Sequence, residues 1–206
     1  MISVIDYGSG NLKAICNIYK QLNIPVQITK KPENIIKSSH LILPGVGSFD
    51  HVMNAINVSG LKHCINEAVL DLNIPILGIC VGMQVMAKSS EEGTLEGFGW
   101  FDGIIKKIDI KNINSKPKIP HMGWNEIKIV DNEFFKNIDL LQGFYFLHSY
   151  HFEIKNLDQI IAKVVYGSDL VCTIRRNNIF GVQFHPEKSH NNGINIFKNF
   201  WNIKSC

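Results

Sequence analysis

Two short runs, "HLILPG" (His40–Gly45) and "IPILGI" (Ile74–Ile79), constrain the fold of this chain most. Neither alternates apolar with polar residues, as a strand with one wet face would. Continuous apolar strands suit a sheet covered on both faces, the usual situation in parallel α/β sheets. The flanking segments agree. "ISVIDYG" is an earlier apolar strand and "PVQITK" a further one, and between them "NLKAICNIYKQLN" places Leu12, Ile15, Ile18, Tyr19 and Leu22 at helical spacing. A helical region is expected from about Asp50 to Leu72 with a break at Ser59–Gly60, and "VGMQVMAKS" starts another helix. Strand–helix alternation of this kind predicts a parallel sheet with right-handed crossovers.

The second half reads differently. "GIIKKIDI", "NEIKIV", "GFYFLHSYHF", "IIAKVVYG", "LVCTIRR" and "NIFGVQFHP" are short strands with few helices between them, which predicts antiparallel hairpins added to the parallel sheet. A last helix is expected in "NNGINIFKNFWNI", with Ile194, Phe197, Phe200 and Trp201 on one face. No repeat, low-complexity tract or long linker divides the 206 residues, so a single domain over 1–206 is the expectation.

Composition narrows the function classes. A hydrophobic fraction of 45% with 19% charged residues fits a soluble globular protein. A net charge of +3 is too small an imbalance to suggest nucleic acid; the lysines at 106, 107, 111, 116 and 118 are expected to form a solvated loop. No apolar stretch reaches the roughly 18 residues that would suggest a membrane span, and "MISVIDYGSGN" lacks the basic start of a secretory signal. Cys16, Cys64, Cys80, Cys172 and Cys206 are scattered, odd in number and without a CxxC pair. They argue for a reducing cytoplasm, against a disulfide framework and against a structural metal site.

Three segments carry candidate chemistry. In "GICVG" a thiol, Cys80, lies between Gly78 and Gly82 where a strand turns into a helix. This is the nucleophile-elbow pattern with cysteine in place of serine, and the glycines are needed because side chains there would collide. The helix start favours the thiolate, the reactive form of the group. A buried structural cysteine is the ordinary alternative, and it is the reading for Cys16, Cys64 and Cys172. In "FGVQFHPEKS", His185 ends an apolar strand and Pro186 biases it toward an extended conformation. Residues i and i+2 of an extended segment face the same way, so His185 and Glu187 can reach one crevice as base and orienting group. In "LPGVGSFD", Gly45, Val46 and Gly47 follow the third strand as Cys80 follows the fourth. Both lie where open α/β sheets place ligands, and backbone N–H groups there can form an oxyanion hole. Gly8 and Gly10 of "DYGSGNLK" lack the third glycine of a dinucleotide fingerprint, because position 13 is Lys13. They read as a tight turn.

Together these motifs resemble the class I (triad) glutamine amidotransferases, and within them the family of glutaminase subunits of imidazole glycerol phosphate synthase. The resemblance runs the whole length through "IDYGSGNL", "LPGVGSF", "GICVGMQ", "SSEEG", "PHMGWN", "FLHSY" and "GVQFHPEKS". It implies a flavodoxin-like α/β fold with a mostly parallel central sheet, helices on both faces and added antiparallel strands in the C-terminal half. It also implies Cys80 as nucleophile, His185 as general base and acid, and Glu187 as the carboxylate orienting it. Gly45, Val46 and Gly47 with the Val81 N–H would form the oxyanion hole. Gln84 and Glu92 would hold L-glutamine, and Ser149 and Tyr150 would present backbone groups to its α-carboxylate end. His121, Met122, Gly123, Trp124 and Asn125 would line the face toward a barrel-shaped cyclase subunit in a heterodimer. No cofactor and no metal is implied, and neither nucleic acid nor membrane.

The implied reaction is attack of Cys80 on the side-chain amide of glutamine, release of ammonia, and hydrolysis of the glutamyl thioester. Ammonia would pass to the cyclase partner, which forms imidazole glycerol phosphate and AICAR in histidine biosynthesis. His151, His190 and "GFGWFDG" depart from the pattern of that branch. Paralogues with a similar barrel partner supply ammonia for amination of surface or nucleotide-linked sugars, and that is the alternative acceptor. Readings from other classes are weaker: a Cys–His protease usually has an Asn or Asp partner, a metal module needs ligand pairs the histidines do not form, and a scaffold leaves the triad positions without purpose.

Overall fold

The computed structural model describes residues 1–114, 116–130 and 134–204, so Cys206 lies outside the described residues. The first half alternates as the sequence predicts. It runs β1 (Ile2–Ile5), α1 (Leu12–Gln21), β2 (Val26–Thr29), α2 (Pro32–Ile35), β3 (His40–Gly45), α3 (Phe49–Val58), α4 (Leu61–Asn66), β4 (Ile76–Cys80) and α5 (Val81–Gln84). The second half holds β5 (Ser89–Ser90), β6 (Gly103–Lys107), β7 (His121–Asn125), β8 (Ile127–Ile129), β9 (Phe144–His148), β10 (Tyr150–Ile154), β11 (Ile160–Tyr166), β12 (Ser168–Arg176), β13 (Ile179–Val182) and α6 (His190–Trp201).

The main sheet runs β2-β1-β3-β4-β13-β12-β10-β6-β5, with β11 paired to β12 and β8 paired to β11. The block from β2 to β13 is parallel, and β12, β10, β11 and β8 extend it antiparallel. Every residue of β3 and β4 is buried, as expected of apolar runs covered on both faces. One strand differs from expectation. β13 is antiparallel to β12 as foreseen, yet it is parallel to β4, with Val182 opposite Ile79. Its carboxyl end therefore lies beside that of β4, and this brings the histidine motif to the cysteine.

The helices pack by their apolar faces. α1 buries Ile15 and Tyr19, and Tyr19 meets Phe197 of α6 edge-to-face with ring centroids 5.1 Å apart. Phe197 and Phe200 are fully buried, each contributing about 1.5–3 kcal/mol through the surface it removes from water. The expected break at Ser59–Gly60 is where α3 ends and α4 begins, with Gly60 left-handed at φ 71°.

The helix after Cys80 is shorter than its sequence suggests. α5 makes one turn, and the carbonyls of Val85, Met86, Ala87 and Lys88 then accept hydrogen bonds from Phe98, Phe101, Gly99 and Gly97. Val85, Met86 and Ala87 are fully buried, so the apolar run "VGMQVMA" marks all-round burial under a crossing segment rather than a long amphipathic helix. The expected lysine loop is also divided. Lys106 and Lys107 belong to β6, and Lys106 pairs with Glu153 at 2.9 Å. Such an exposed pair, screened by water, contributes little to stability.

Candidate active site

β4 ends on Cys80 with φ 54° and ψ −112°, a conformation non-glycine residues rarely adopt. The neighbours explain how it persists. A Cβ on Gly78 would lie 2.5 Å from the Gly82 carbonyl oxygen, and a Cβ on Gly82 would strike the Leu43 carbonyl. The turn is thus possible only with glycine on both sides. It holds the thiol above the sheet, buried at 4% exposure, in a cavity of about 310 Å³, within the usual range of small-molecule sites, about 300–1,000 Å³.

His185 follows β13, so it reaches the same cavity. Its Nδ1 lies 2.9 Å from Glu187 Oε1. The pairing expected from i, i+2 spacing is present, but Pro186–Lys188 forms a 3-10 turn rather than an extended segment. Asn11, at the start of α1, donates Nδ2–H to the same Glu187 oxygen at 2.7 Å. Burial works against a charge on His185, yet its hydrogen bonds to Cys80 and Glu187 outweigh that and raise its pKa to about 10. These partners favour the cationic imidazole. Burial pushes the Glu187 carboxyl up, but the bonds from His185 and Asn11 hold it below the usual carboxylate range.

The parallel pairing of β3 with β4 sets Gly45 opposite Cys80, so the Gly45–Gly47 loop lies against the thiol. Val46 and Gly47 line the cavity, as does Val81. The Val46 N–H is not aimed at the sulfur. It donates to Ser9 Oγ at 3.3 Å, and Ser9 Oγ donates back to the Val46 carbonyl at 2.9 Å. Ser9 faces a neighbouring open cleft of about 680 Å³ and does not line the Cys80 cavity. Gly47 has φ 97°, whereas Gly45 is required for close packing, since a Cβ there would meet the Gly82 nitrogen.

The four expected glutamine-binding residues also line this cavity. Gln84 donates Nε2–H to the Tyr150 carbonyl at 3.2 Å and to Gln183 Oε1 at 3.0 Å, which leaves its own Oε1 as the acceptor. The Tyr150 carbonyl takes a second bond from His148 Nδ1 at 2.7 Å, and the Ser149 carbonyl accepts from the Ile108 N–H at 3.0 Å. Both carbonyls are thus engaged within the protein. Glu92 Oε2 accepts from the Phe49 N–H at 2.8 Å, at the start of α3. Asp50 steadies the same segment, its Oδ2 accepting from the Thr94 N–H at 2.8 Å and its Oδ1 from the Leu95 N–H at 3.0 Å. Those bonds lower the Asp50 pKa. Asp50→Ala is therefore expected to loosen Glu92, so that a substrate held by that carboxylate would show a KM raised on the order of tenfold, the effect of losing hydrogen bonds to a charged group, with kcat little changed; steady-state kinetics reads this.

The segment expected to face a partner is β7, paired with β9 in a separate two-stranded sheet. Met122 and Trp124 are 60% and 44% exposed, and Trp124 stacks on His190 with centroids 4.9 Å apart. Gly123 and Asn125 are half-buried. His121 departs from the expectation: strand alternation turns it inward, and it is fully buried between Phe146 and Tyr166. Motif reading also missed Ser9, Asn11 and Gln183, whose contacts span long stretches of chain. Among the described residues, no helix is long and apolar enough to cross a membrane.

A cysteine elbow, a histidine–carboxylate pair and a glycine loop on one edge of a parallel sheet define a class. The chain belongs to the class I glutamine amidotransferases, whose family model matches residues 3–203. It is 46% identical over 201 residues to the imidazole glycerol phosphate synthase subunit HisH of Leptospira interrogans, covering 97% of this chain and 98% of that protein. The HisH subunit of Bdellovibrio bacteriovorus is 44% identical over 206 residues, covering 98% and 100%. The fold is shared with a solved glutamine amidotransferase at TM-score 0.71 and 16% identity, over 97% of this chain and 96% of that one.

Proposed function

We propose that this chain is the glutaminase subunit of imidazole glycerol phosphate synthase, hydrolysing L-glutamine and passing the ammonia to a barrel-shaped cyclase subunit. The observation that carries this is the meeting of Cys80 and His185 in one cavity, with Glu187 hydrogen-bonded to the imidazole at 2.9 Å. Cys80 attacks the glutamine side-chain carbonyl, and the developing oxyanion is met by the Val81 N–H and a reoriented Val46 N–H. His185 gives its proton to the leaving nitrogen, so ammonia departs and a glutamyl thioester remains. His185 then takes a proton from water, which attacks the thioester and releases glutamate. Relatives at 46% and 44% identity are named as subunits of that synthase, which favours this acceptor over an amino sugar.

Control follows from the Ser9 tether. While the Val46 N–H is held by Ser9, the oxyanion hole lacks one donor. Loss of one such donor typically costs roughly 10²- to 10³-fold. A partner that docks on Met122 and Trp124 stimulates the reaction only if it binds the reoriented loop more tightly. Glutaminase activity is expected to be low for the chain alone and to rise steeply with the cyclase subunit plus an acceptor analogue. Full activity of the isolated chain would contradict the reading. Ser9→Ala is expected to raise the basal rate about fivefold, as loss of about 1 kcal/mol of restraint would. Gly47→Ala should weaken the stimulation, because its φ of 97° is costly for any side chain.

A further inference from the structure

Gln183 is fully buried between β13 and His185 and has no place in the reaction as derived above. Its orientation is fixed by logic rather than by shape. The Tyr150 carbonyl can only accept, so the group Gln84 turns toward it at 3.2 Å must be the amide N–H₂. The second hydrogen of that same nitrogen goes to Gln183 at 3.0 Å, so the Gln183 atom facing it must be the oxygen. The Gln183 Nε2 is then turned to Cys80, 3.7 Å from Sγ. His148 reinforces this order. Burial, with His121 nearby, lowers its pKa to about 3, so it is neutral, and its Nδ1–H fills another lone pair of the Tyr150 carbonyl at 2.7 Å.

We infer that Gln183 is a further catalytic residue: its Nε2–H, aimed by Gln84 and the Tyr150 carbonyl, donates to the Cys80 sulfur and stabilises it as the thiolate that attacks substrate. The inference rests on the glutaminase reading for its effect on turnover. A donor on sulfur strengthens as negative charge gathers there and weakens as the thioester forms. It therefore holds the thiolate ready before glutamine binds. Gln183 does not line the cavity, so it touches the nucleophile from behind without touching substrate. The titratable groups around the sulfur are His185 beyond β13, Tyr7 beyond β1, and Glu92, His148, Tyr150 and Lys188 on the cavity wall; a change at Gln183 replaces none of them.

The test is iodoacetamide alkylation of Cys80 across pH, followed by mass spectrometry of its peptide in the full chain. Gln183→Glu keeps the volume and the acceptor for Gln84 while replacing the donor by an anion. Gln183→Met keeps the volume and removes both polar groups. The midpoint of alkylation is expected to move to higher pH in both, further in Gln183→Glu. In the complex, kcat should fall about tenfold or more, as for a hydrogen bond to a charged group, with KM for glutamine within about twofold. An unmoved alkylation midpoint in Gln183→Glu, with thermal melting like that of the parent, would overturn the assignment. Alkylation needs neither glutamine nor partner, so a chain that turned over no glutamine would defeat the proposed function and still report on Gln183.

Discussion

Cys80→Ala is expected to abolish glutamine-dependent product formation by the complex while leaving its use of added ammonia intact. The thiol is the only group in the cavity placed to attack the amide from the end of β4 among the described residues, and no hydroxyl or carboxylate stands in its position. The variant should fold. Alanine lacks only the sulfur, and the strained turn depends on Gly78 and Gly82 rather than on the thiol. In the proposed function the acceptor binds the partner subunit, so ammonia-dependent activity is expected to survive. The measurement is product formation with saturating glutamine and, separately, with ammonium at alkaline pH, where more of it is unprotonated. Loss of both activities would show that this chain also shapes the acceptor site.

His185→Ala is the second large effect. In the proposed reaction the imidazole moves a proton in both halves, and a positioned acid–base group typically contributes about 10²- to 10⁴-fold. Glu187→Gln should cost less. In that reaction the carboxylate moves no proton; its Oε1 holds the ring at 2.9 Å and favours its cationic form. Asn11 also binds that oxygen at 2.7 Å, so an amide at position 187 keeps an anchor for the side chain while losing the charge. Comparison of kcat for the two variants in the complex, with stopped-flow observation of the thioester, ranks them. The reverse order would mean that Glu187 takes part in the chemistry directly.

The parts of this site that were legible in sequence are those encoded by local patterns. A nucleophile between glycines at the end of an apolar run is a backbone requirement, and the collisions at Gly78 and Gly82 make it unavoidable. The His-Pro-Glu pairing is also local, although the chain achieves it with a turn instead of an extended strand. What the sequence did not display are contacts made between distant segments. Asn11 meets Glu187 only because α1 and the end of β13 converge, and Ser9 tethers Val46 only because the loops after β1 and β3 are neighbours. Such neighbours follow from sheet order, which no window of residues contains. The inward turn of His121 was hidden for a related reason. In "PHMGWN" the alternating apolar residues, Met122 and Trp124, are the exposed ones, the reverse of a half-buried strand, so neither β7 nor its pairing with β9 was visible. α5 was overestimated because burial on every side and an amphipathic helix leave similar apolar runs.

The central claim is that nitrogen from glutamine bound at Cys80 becomes the nitrogen of the partner's product. It is tested most directly by supplying the complex with glutamine carrying heavy nitrogen in its amide, in the presence of excess unlabelled ammonium, and weighing the imidazole product. The account predicts that the product carries the heavy label with little dilution and that Cys80→Ala abolishes the labelling. Unlabelled product from the intact complex, with glutamine left unconsumed, would contradict it.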